Sequence, residues 1–323
     1  PEATEIAKRL ISWADVYVES FTPGTMAALG IDYEVAQRLN PSIIMVSTCL
    51  MGQTGPASEF AGYGFHAGAV AGFYEITGWP ELAPDGPWIA YTDVVTPRIL
   101  SAIIMAALDH KRRTGQGQYI DASQLEMGLQ FLAPQIIDFT ANNQIVTRNG
   151  NRSSTSAPQG AYPCVGEDQW CAIAIESDEE WAALGRVLGC PDWAADSRFA
   201  TNSGRLENHD EIDGHISQWT SALTPQEVML LCQAEDVPAG VVQRSSDLFK
   251  DPQMAHREMF PELDDPEVGR VPYTGHLFKI HDYDSGPRFA APMMGQHNEL
   301  ILKEFLGMTE DEITDAVIAG ALE

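Results

Sequence analysis

DVYVESFTPGTMAALGIDYEVAQRLNPSIIMVS, residues 15–47, holds two short apolar runs, Asp15-Val16-Tyr17-Val18-Glu19 and Ser42-Ile43-Ile44-Met45-Val46-Ser47, separated by helix signals. Runs this short and this rich in β-branched residues read as buried strands. Between them Pro23 is predicted to open a short helix that Gly30 stops, and Asp32 to cap a second helix ending near Asn40-Pro41. Strand, helix and strand at this spacing make a βαβ unit, which places the two strands parallel in a sheet covered by helices. The fold class is therefore α/β. A helix is predicted to about Trp13 just ahead, so the series starts in mid-stride, without a first strand or a phosphate-binding turn. An N-terminal portion is expected to precede Pro1 or to be supplied by another chain.

Downstream, the loop Met51-Gly52-Gln53-Thr54-Gly55-Pro56 leads to a small-residue segment, Gly62 to Gly78, suited to close helix packing. Next comes Tyr91-Thr92-Asp93-Val94-Val95-Thr96-Pro97-Arg98. A proline directly behind a threonine reads as the first helical position after an N-cap, which puts Asp93 on the loop leading into a helix. A carboxylate there faces the positive end of the helix dipole, which favours the anion a nucleophile needs. Ordinary capping chemistry explains the same residue, and the local sequence alone leaves both readings open. The helix behind it is apolar on nearly every face (Ile99, Leu100, Ile103, Ile104, Ala107, Leu108), the mark of a central helix, and ends at Lys111-Arg112-Arg113-Thr114-Gly115. Tyr119-Ile120-Asp121 is a further strand, and Ser123 with Glu126 a capping box.

From Arg148 the sequence turns polar, and a second α/β unit is expected: a strand at Trp170 to Ile175, a helix between the capping box Ser177/Glu180 and Gly189, another opened by Thr224-Pro225 with Glu227, and a strand near Val241-Val242. A hairpin is expected around Gly269 to Ile280 and a last helix after Thr309. The expected division is 1–147 for the large domain, 148–160 for a linker, 161–257 for the small domain, 258–280 for a return linker, and 281–323 for a segment packing on the large domain.

Composition limits the partners. The 323 residues carry 19 Lys+Arg against 46 Asp+Glu, a formal net charge of -27, with only five lysines. Such a surface repels nucleic acid and anionic membranes, so neither is expected as a partner. The five cysteines form no CxxC and no His-spaced cluster, so reduced, buried, incidental thiols and no metal site are expected. No run of apolar residues approaches bilayer-spanning length and no signal peptide is evident at the start, from which a cytoplasmic location is expected. No GxGxxG opens a helix, and neither a Walker motif nor a Gx-Ser-xG elbow occurs.

In order and spacing, several segments together resemble the family III CoA-transferases, the CaiB/BaiF group that includes formyl-CoA and carnitine CoA-transferases. They are Ala14 to Gly24, Asn40 to Ile44, Gly52-Gln53-Thr54-Gly55-Pro56, Gly62-Tyr63, Tyr91-Thr92-Asp93, Arg113-Thr114-Gly115-Gln116-Gly117-Gln118, Gly150-Asn151-Arg152, Pro163 to Ile175, Asp251-Pro252-Gln253 and Gly295-Gln296-His297. The resemblance implies a Rossmann-like large domain, a small α/β domain inserted through linkers, and an interlocked homodimer. It implies that Asp93 is the catalytic nucleophile, that Thr22, Pro23, Gly24, Gln53, Tyr63 and His66 stand where coenzyme A or substrate binds, and that no metal or redox cofactor is needed. Coenzyme A is then a substrate, and the partners are an acyl-CoA and a carboxylic acid.

Three departures stand out. Thr22 occupies the place of an arginine that contacts the CoA phosphates, Gly64 that of an acidic residue, and the first elements of the family, about a quarter to a fifth of a typical subunit, have no counterpart before Pro1. Two rival readings follow. An α-methylacyl-CoA racemase needs a histidine where this chain has Tyr63, a poor base for an α-proton, although His66 is close by. A non-catalytic or incomplete subunit is the other.

Overall fold

The computed structural model describes residues 2–283 and 286–322. Contacts divide the chain into two units, 1–148 with 292–323, and 149–291. The stretches 148–160 and 258–280, expected as linkers, fall almost wholly inside the second unit.

In the first unit α1 (Glu2–Trp13) runs into β1 (Val16–Glu19); α2 (Thr25–Ala28) and α3 (Tyr33–Leu39) lead to β2 (Ile44–Cys49). Pro23 does not open a helix: Gly24, at φ +85°, precedes α2 instead, a backbone conformation that only glycine adopts cheaply. Asp32 caps α3 as expected, its Oδ1 accepting from the Val35 N–H at 3.0 Å. After α4 (Gly64–Ala71), α5 (Phe73–Ile76) and α6 (Tyr91–Thr114) comes β3 (Gln118–Ser123), followed by α7 (Gln124–Leu129) and α8 (Ala133–Asn142). The sheet order is β1-β2-β3, all parallel, with Val16 opposite Ile44 and Ile44 opposite Gln118. All six residues of the central strand are buried. Strand side chains alternate between faces, so Ile44 and Val46 pack with Leu100 and Ala107 of α6, while Ile43 and Met45 pack with Ile11, Met26 and Ala36. Full burial of each Ile, Val, Leu or Met side chain among these is worth about 1.5–3 kcal/mol.

The Arg113 to Gln118 segment is architectural. Gly115 (φ +75°) is the left-handed C-cap of α6, and a Cβ on Gly117 would lie 2.1 Å from the Ile43 carbonyl oxygen. Only a glycine lets β3 close against β2 there.

The helix carrying Asp93 differs from expectation in three ways. It starts at Tyr91, so Asp93 lies in its first turn, and Pro97 lies inside it. The Thr-Pro pair mimics a helix start, but Thr92, Val95 and Thr96 are buried and hold the extra turn. Packing thus outweighs one missing backbone bond. Nor is α6 central: Met105 is 65% exposed, and Pro97, Ser101 and Ala106 are also exposed. By length and composition α6 is also apolar enough to cross a bilayer, which the sequence reading did not anticipate; here its Leu100 and Ala107 cover the sheet. Ser123 accepts from the Glu126 N–H, giving one half of the expected capping box.

In the second unit β4 (Gln159–Pro163), β5 (Trp170–Ala174), α9 (Asp178–Val187), α10 (Asn202–Glu207), α11 (His209–Thr220), α12 (Pro225–Gln233) and β6 (Ala239–Val241) surround Phe199, Leu184, Ile212, Ile216 and Val228, all fully buried. Its sheet, β4-β5-β6, is antiparallel. The capping boxes at Ser177/Glu180 and Thr224/Glu227 form as predicted. A hairpin of β7 (Glu262–Asp265) and β8 (Gly269–Pro272) begins earlier than expected, because Asp265 turns the chain by accepting from the Glu267 and Val268 N–H groups. Cys190 is exposed, against expectation, at the C-terminal turn of α9; the other four thiols are buried. At the other end of the chain, Thr309/Glu312 caps the helix Glu310–Ile318, and the preceding turn meets α1 through Arg9 Nη2 to Leu306 O (2.6 Å) and Trp13 against Phe305.

Candidate active site

The site lies at the carboxyl ends of the parallel strands, where α/β sheets hold ligands. Along the face turned to α6, β1 carries Val16 and Val18 with Ser20 just beyond its end, β2 carries Ile44, Val46 and Thr48, and β3 carries Gln118, Ile120 and Ala122, with Gln124 opening α7 just beyond. Apolar residues fill the middle of each row, and a polar one stands at or just past its carboxyl end. The first turns of α6 cross those ends, and a cleft of about 370 Å³ opens between them. Its lining comprises Val18, Ser20, Thr48 and Gln124 from the sheet side and Asp93, Thr96, Pro97, Leu100, Ser101 and Ile104 from α6.

Asp93 is the only charged residue among those lining residues, and it is exposed. Its carboxyl group rests against Gly64, the first residue of α4: a Cβ there would stand 2.5 Å from Asp93 Cγ and 2.6 and 2.7 Å from its two oxygens. In this chain the glycine leaves free the space in which the Asp93 carboxylate stands. Two helix N-termini converge on the group, its own and that of α4, and both favour an anion. Of the first-turn N–H groups of α4, those of His66 and Ala67 are given to Tyr63 O, leaving those of Gly64 and Phe65. Thr92, fully buried, clamps the arrangement: its hydroxyl lies 3.2 Å from Gly64 O and 3.4 Å from Gln124 Oε1. Gly128 of α7 meets the Thr92 methyl closely enough that a Cβ would approach it to 3.1 Å.

Two hydroxyls in this cleft are orphaned. Thr48 Oγ1 and Thr96 Oγ1 are both buried without a hydrogen-bond partner, on residues 7% and 2% exposed. A helical threonine ordinarily bonds a carbonyl one turn back, and Thr96 does not.

The other residues expected at the site divide into two groups. Tyr63 and His66 stand at the start of α4, with His66 Nδ1 accepting from the Tyr63 N–H at 3.1 Å; Tyr63 is 76% exposed. Thr22, Gly24 and Gln53 line a different cleft of about 250 Å³ on the opposite face of the sheet, with Glu19, Asp32, Glu34, Ser47 and Tyr119. Pro23 sits in the same turn as Thr22 and Gly24 but is not among the lining residues. Three carboxylates and no cation line that cleft, so its described residues offer a phosphate no clamp. Burial, with Asp121 and Glu19 adding negative charge, pushes the Tyr119 phenol up. Gln53 is held by its N–H donating to Asp121 Oδ1 at 2.9 Å. Cys49 ends the central strand, and burial pushes its thiol up from the ordinary 9.0, so it does not compete as a thiolate at neutral pH. A larger cleft in the second unit, about 660 Å³ beside Phe260, His276 and Phe278, contains none of these residues.

Thr48, Thr96, Thr92, Ser20 and Gln124 were not singled out from the sequence. A hydroxyl ending the apolar row Ile44-Val46 was the available signal.

The model of CoA-transferase family III matches residues 1–298. The chain is 31% identical over 313 residues to the succinyl-CoA–D-citramalate CoA-transferase of Chloroflexus aurantiacus, covering 97% of this chain and 78% of that protein. It is 28% identical to human succinyl-CoA:glutarate CoA-transferase, covering 100% of this chain and 73% of the relative. Among solved structures, a CaiB/BaiF family protein from Brucella suis superposes with a TM-score of 0.85 at 30% identity, covering 94% of this chain and 78% of that one. The mixed α/β architecture with its parallel sheet is shared with that protein, and the chain belongs to family III of the CoA-transferases.

Proposed function

We propose that the chain moves coenzyme A from an acyl-CoA to a carboxylic acid through covalent intermediates on Asp93. One observation carries the reading: the Asp93 carboxylate occupies the space that Gly64 leaves free, at two helix N-termini, on the wall of a ligand-sized cleft. A carboxylate oxygen attacks the thioester carbonyl; the C–S bond breaks, giving a mixed anhydride and CoA thiolate. The thiolate attacks the Asp93 carbonyl, releasing the first acid and leaving an aspartyl-CoA thioester. The acceptor carboxylate attacks that thioester, expelling thiolate and forming a second anhydride, and the thiolate takes the acceptor acyl group, restoring the carboxylate. The Gly64 and Phe65 N–H groups are the donors placed to stabilise the tetrahedral oxyanions.

Thr22, Pro23, Gly24, Gln53, Tyr63 and His66 are proposed as the coenzyme and substrate contacts, and a homodimer as the working unit. Support for the latter is α8, which buries no residue and exposes Ile136, Ile137 and Phe139. The named relatives are transferases, and neither the racemase nor the non-catalytic reading is favoured. The test is hydroxylamine trapping after incubation with an acyl-CoA, read by peptide mass spectrometry. Modification is expected at Asp93 and absent in Asp93→Asn; folded, CoA-binding protein with no adduct there would overturn the reading.

A further inference from the structure

Resting on the nucleophile assigned above, we infer that Thr48 and Thr96 select the acyl group: the acid activated at Asp93 carries a neutral oxygen substituent near its carboxyl end and an uncharged, apolar tail. The cleft runs along α6 from Asp93 through Thr96, Leu100 and Ser101 to Ile104, eleven helical rises and hence about 16 Å of helix. Apart from Ser101, its polar groups lie at the Asp93 end, where Thr96 is one turn away and Ser20, Thr48 and Gln124 stand at the carboxyl end of the sheet. Its apolar groups, Val18, Leu100 and Ile104, line the remainder.

Burying a hydroxyl without a partner is costly, and proteins rarely leave two such groups in the lining of one cleft. Here both orphans line the same cleft, Thr48 from the central strand and Thr96 from the facing helix. A ligand oxygen between them would satisfy both. A hydroxyl or keto oxygen close to the reacting carbonyl has the required chemistry. A second carboxylate does not, because no cation is found among the described lining residues and Asp93 already supplies a negative charge. Such a group would lose its hydration and gain only repulsion.

The experiment is single-turnover labelling of Asp93 in the full chain by 3-hydroxybutyryl-CoA, 3-oxobutyryl-CoA, butyryl-CoA and succinyl-CoA, trapped with hydroxylamine. Two hydrogen bonds to a neutral oxygen predict labelling by 3-hydroxybutyryl-CoA or 3-oxobutyryl-CoA about tenfold faster than by butyryl-CoA, with succinyl-CoA slowest. The faster of the first two identifies the substituent. Thr48→Val and Thr96→Val should each lower the preferred-to-butyryl ratio toward one, and the melting temperature should hold or rise, since removing an orphaned buried hydroxyl relieves its desolvation cost. Thr96→Ser should restore the preference. Succinyl-CoA labelling fastest, or both valine variants slowing every substrate alike, would overturn the assignment and leave the nucleophile standing. No labelling of Asp93 by any of the four would overturn the nucleophile and this assignment together.

Discussion

Gly64→Ala separates catalysis from stability at this site. The new Cβ would stand 2.5 Å from Asp93 Cγ, whereas ordinary contact begins at 3.4 Å, so the carboxyl group must retreat by about 1 Å. The obstructing atoms are the end of an exposed side chain, and rotation about its χ angles relieves the clash at about 0.5–1.5 kcal/mol. Alanine returns up to about 1 kcal/mol of helix propensity at the start of α4, so folding stability should stay within about 1 kcal/mol of wild type. Catalysis has no such compensation. A misplacement of about 1 Å costs on the order of a hundredfold, or about 2.7 kcal/mol of barrier. The assay pairs kcat/KM for transfer between an acyl-CoA and a free acid with a thermal melt. The expected result is an unchanged melt with transfer about a hundredfold slower. Transfer within about threefold of wild type in the folded variant would refute the argument that Gly64 positions the carboxylate.

Gly117→Ala should act the opposite way, because its Cβ would meet backbone, the Ile43 carbonyl oxygen at 2.1 Å, which cannot rotate aside. A loss of about 1–3 kcal/mol or more in denaturant unfolding is expected, and an unaltered midpoint would contradict the close approach. In the second unit, His209 Nε2 accepts from the Gln159 N–H at 3.2 Å, and burial holds its pKa below the usual 6.5 against the opposing pull of Asp213 and Asp210, with Arg152 also lowering it. A depressed histidine gives stability that is present above the unfolded value and is lost as pH falls through the folded one. The melting temperature should therefore drop as pH falls below about 6.5, less steeply in His209→Gln; parallel curves would dismiss the role. Ile137→Asp, on the uncovered face of α8, should shift sedimentation toward monomer without unfolding the chain, and an unchanged distribution would remove that face from the proposed dimer interface.

The parallel βαβ core was readable because β2 opens on the unbroken apolar run Ile43 to Val46 and Asp32 is an unambiguous cap. Four terminal signals, at Asp32, Ser177, Thr224 and Thr309, fell where side-chain chemistry alone decides the helix start. Thr96-Pro97 misled for the same local reason: the pair has N-cap chemistry, but the turn upstream is fixed by burial of Thr92 against α4 and α7, which no local pattern encodes. The cleft was illegible in a different way. Ser20, Thr48 and Gln124 are far apart in sequence and line one cleft only when the three strands align in parallel and bring their carboxyl ends together, so the polar end of the cleft is a property of the sheet. Asp93 was visible as a candidate from its place before a helix, whereas the space for its carboxylate depends on Gly64, 29 residues earlier, which looked like a mere departure from the family pattern.

The central claim, that Asp93 itself enters the reaction, is tested most directly by following oxygen. With an acceptor acid whose carboxylate carries heavy oxygen, a single turnover passes one acceptor oxygen through the second anhydride and leaves it on the aspartate when the thiolate takes the acyl group. The Asp93 peptide is then predicted to gain the mass of one heavy-oxygen substitution, in step with the acyl-CoA formed. Product formation with that peptide unlabelled would contradict the covalent account.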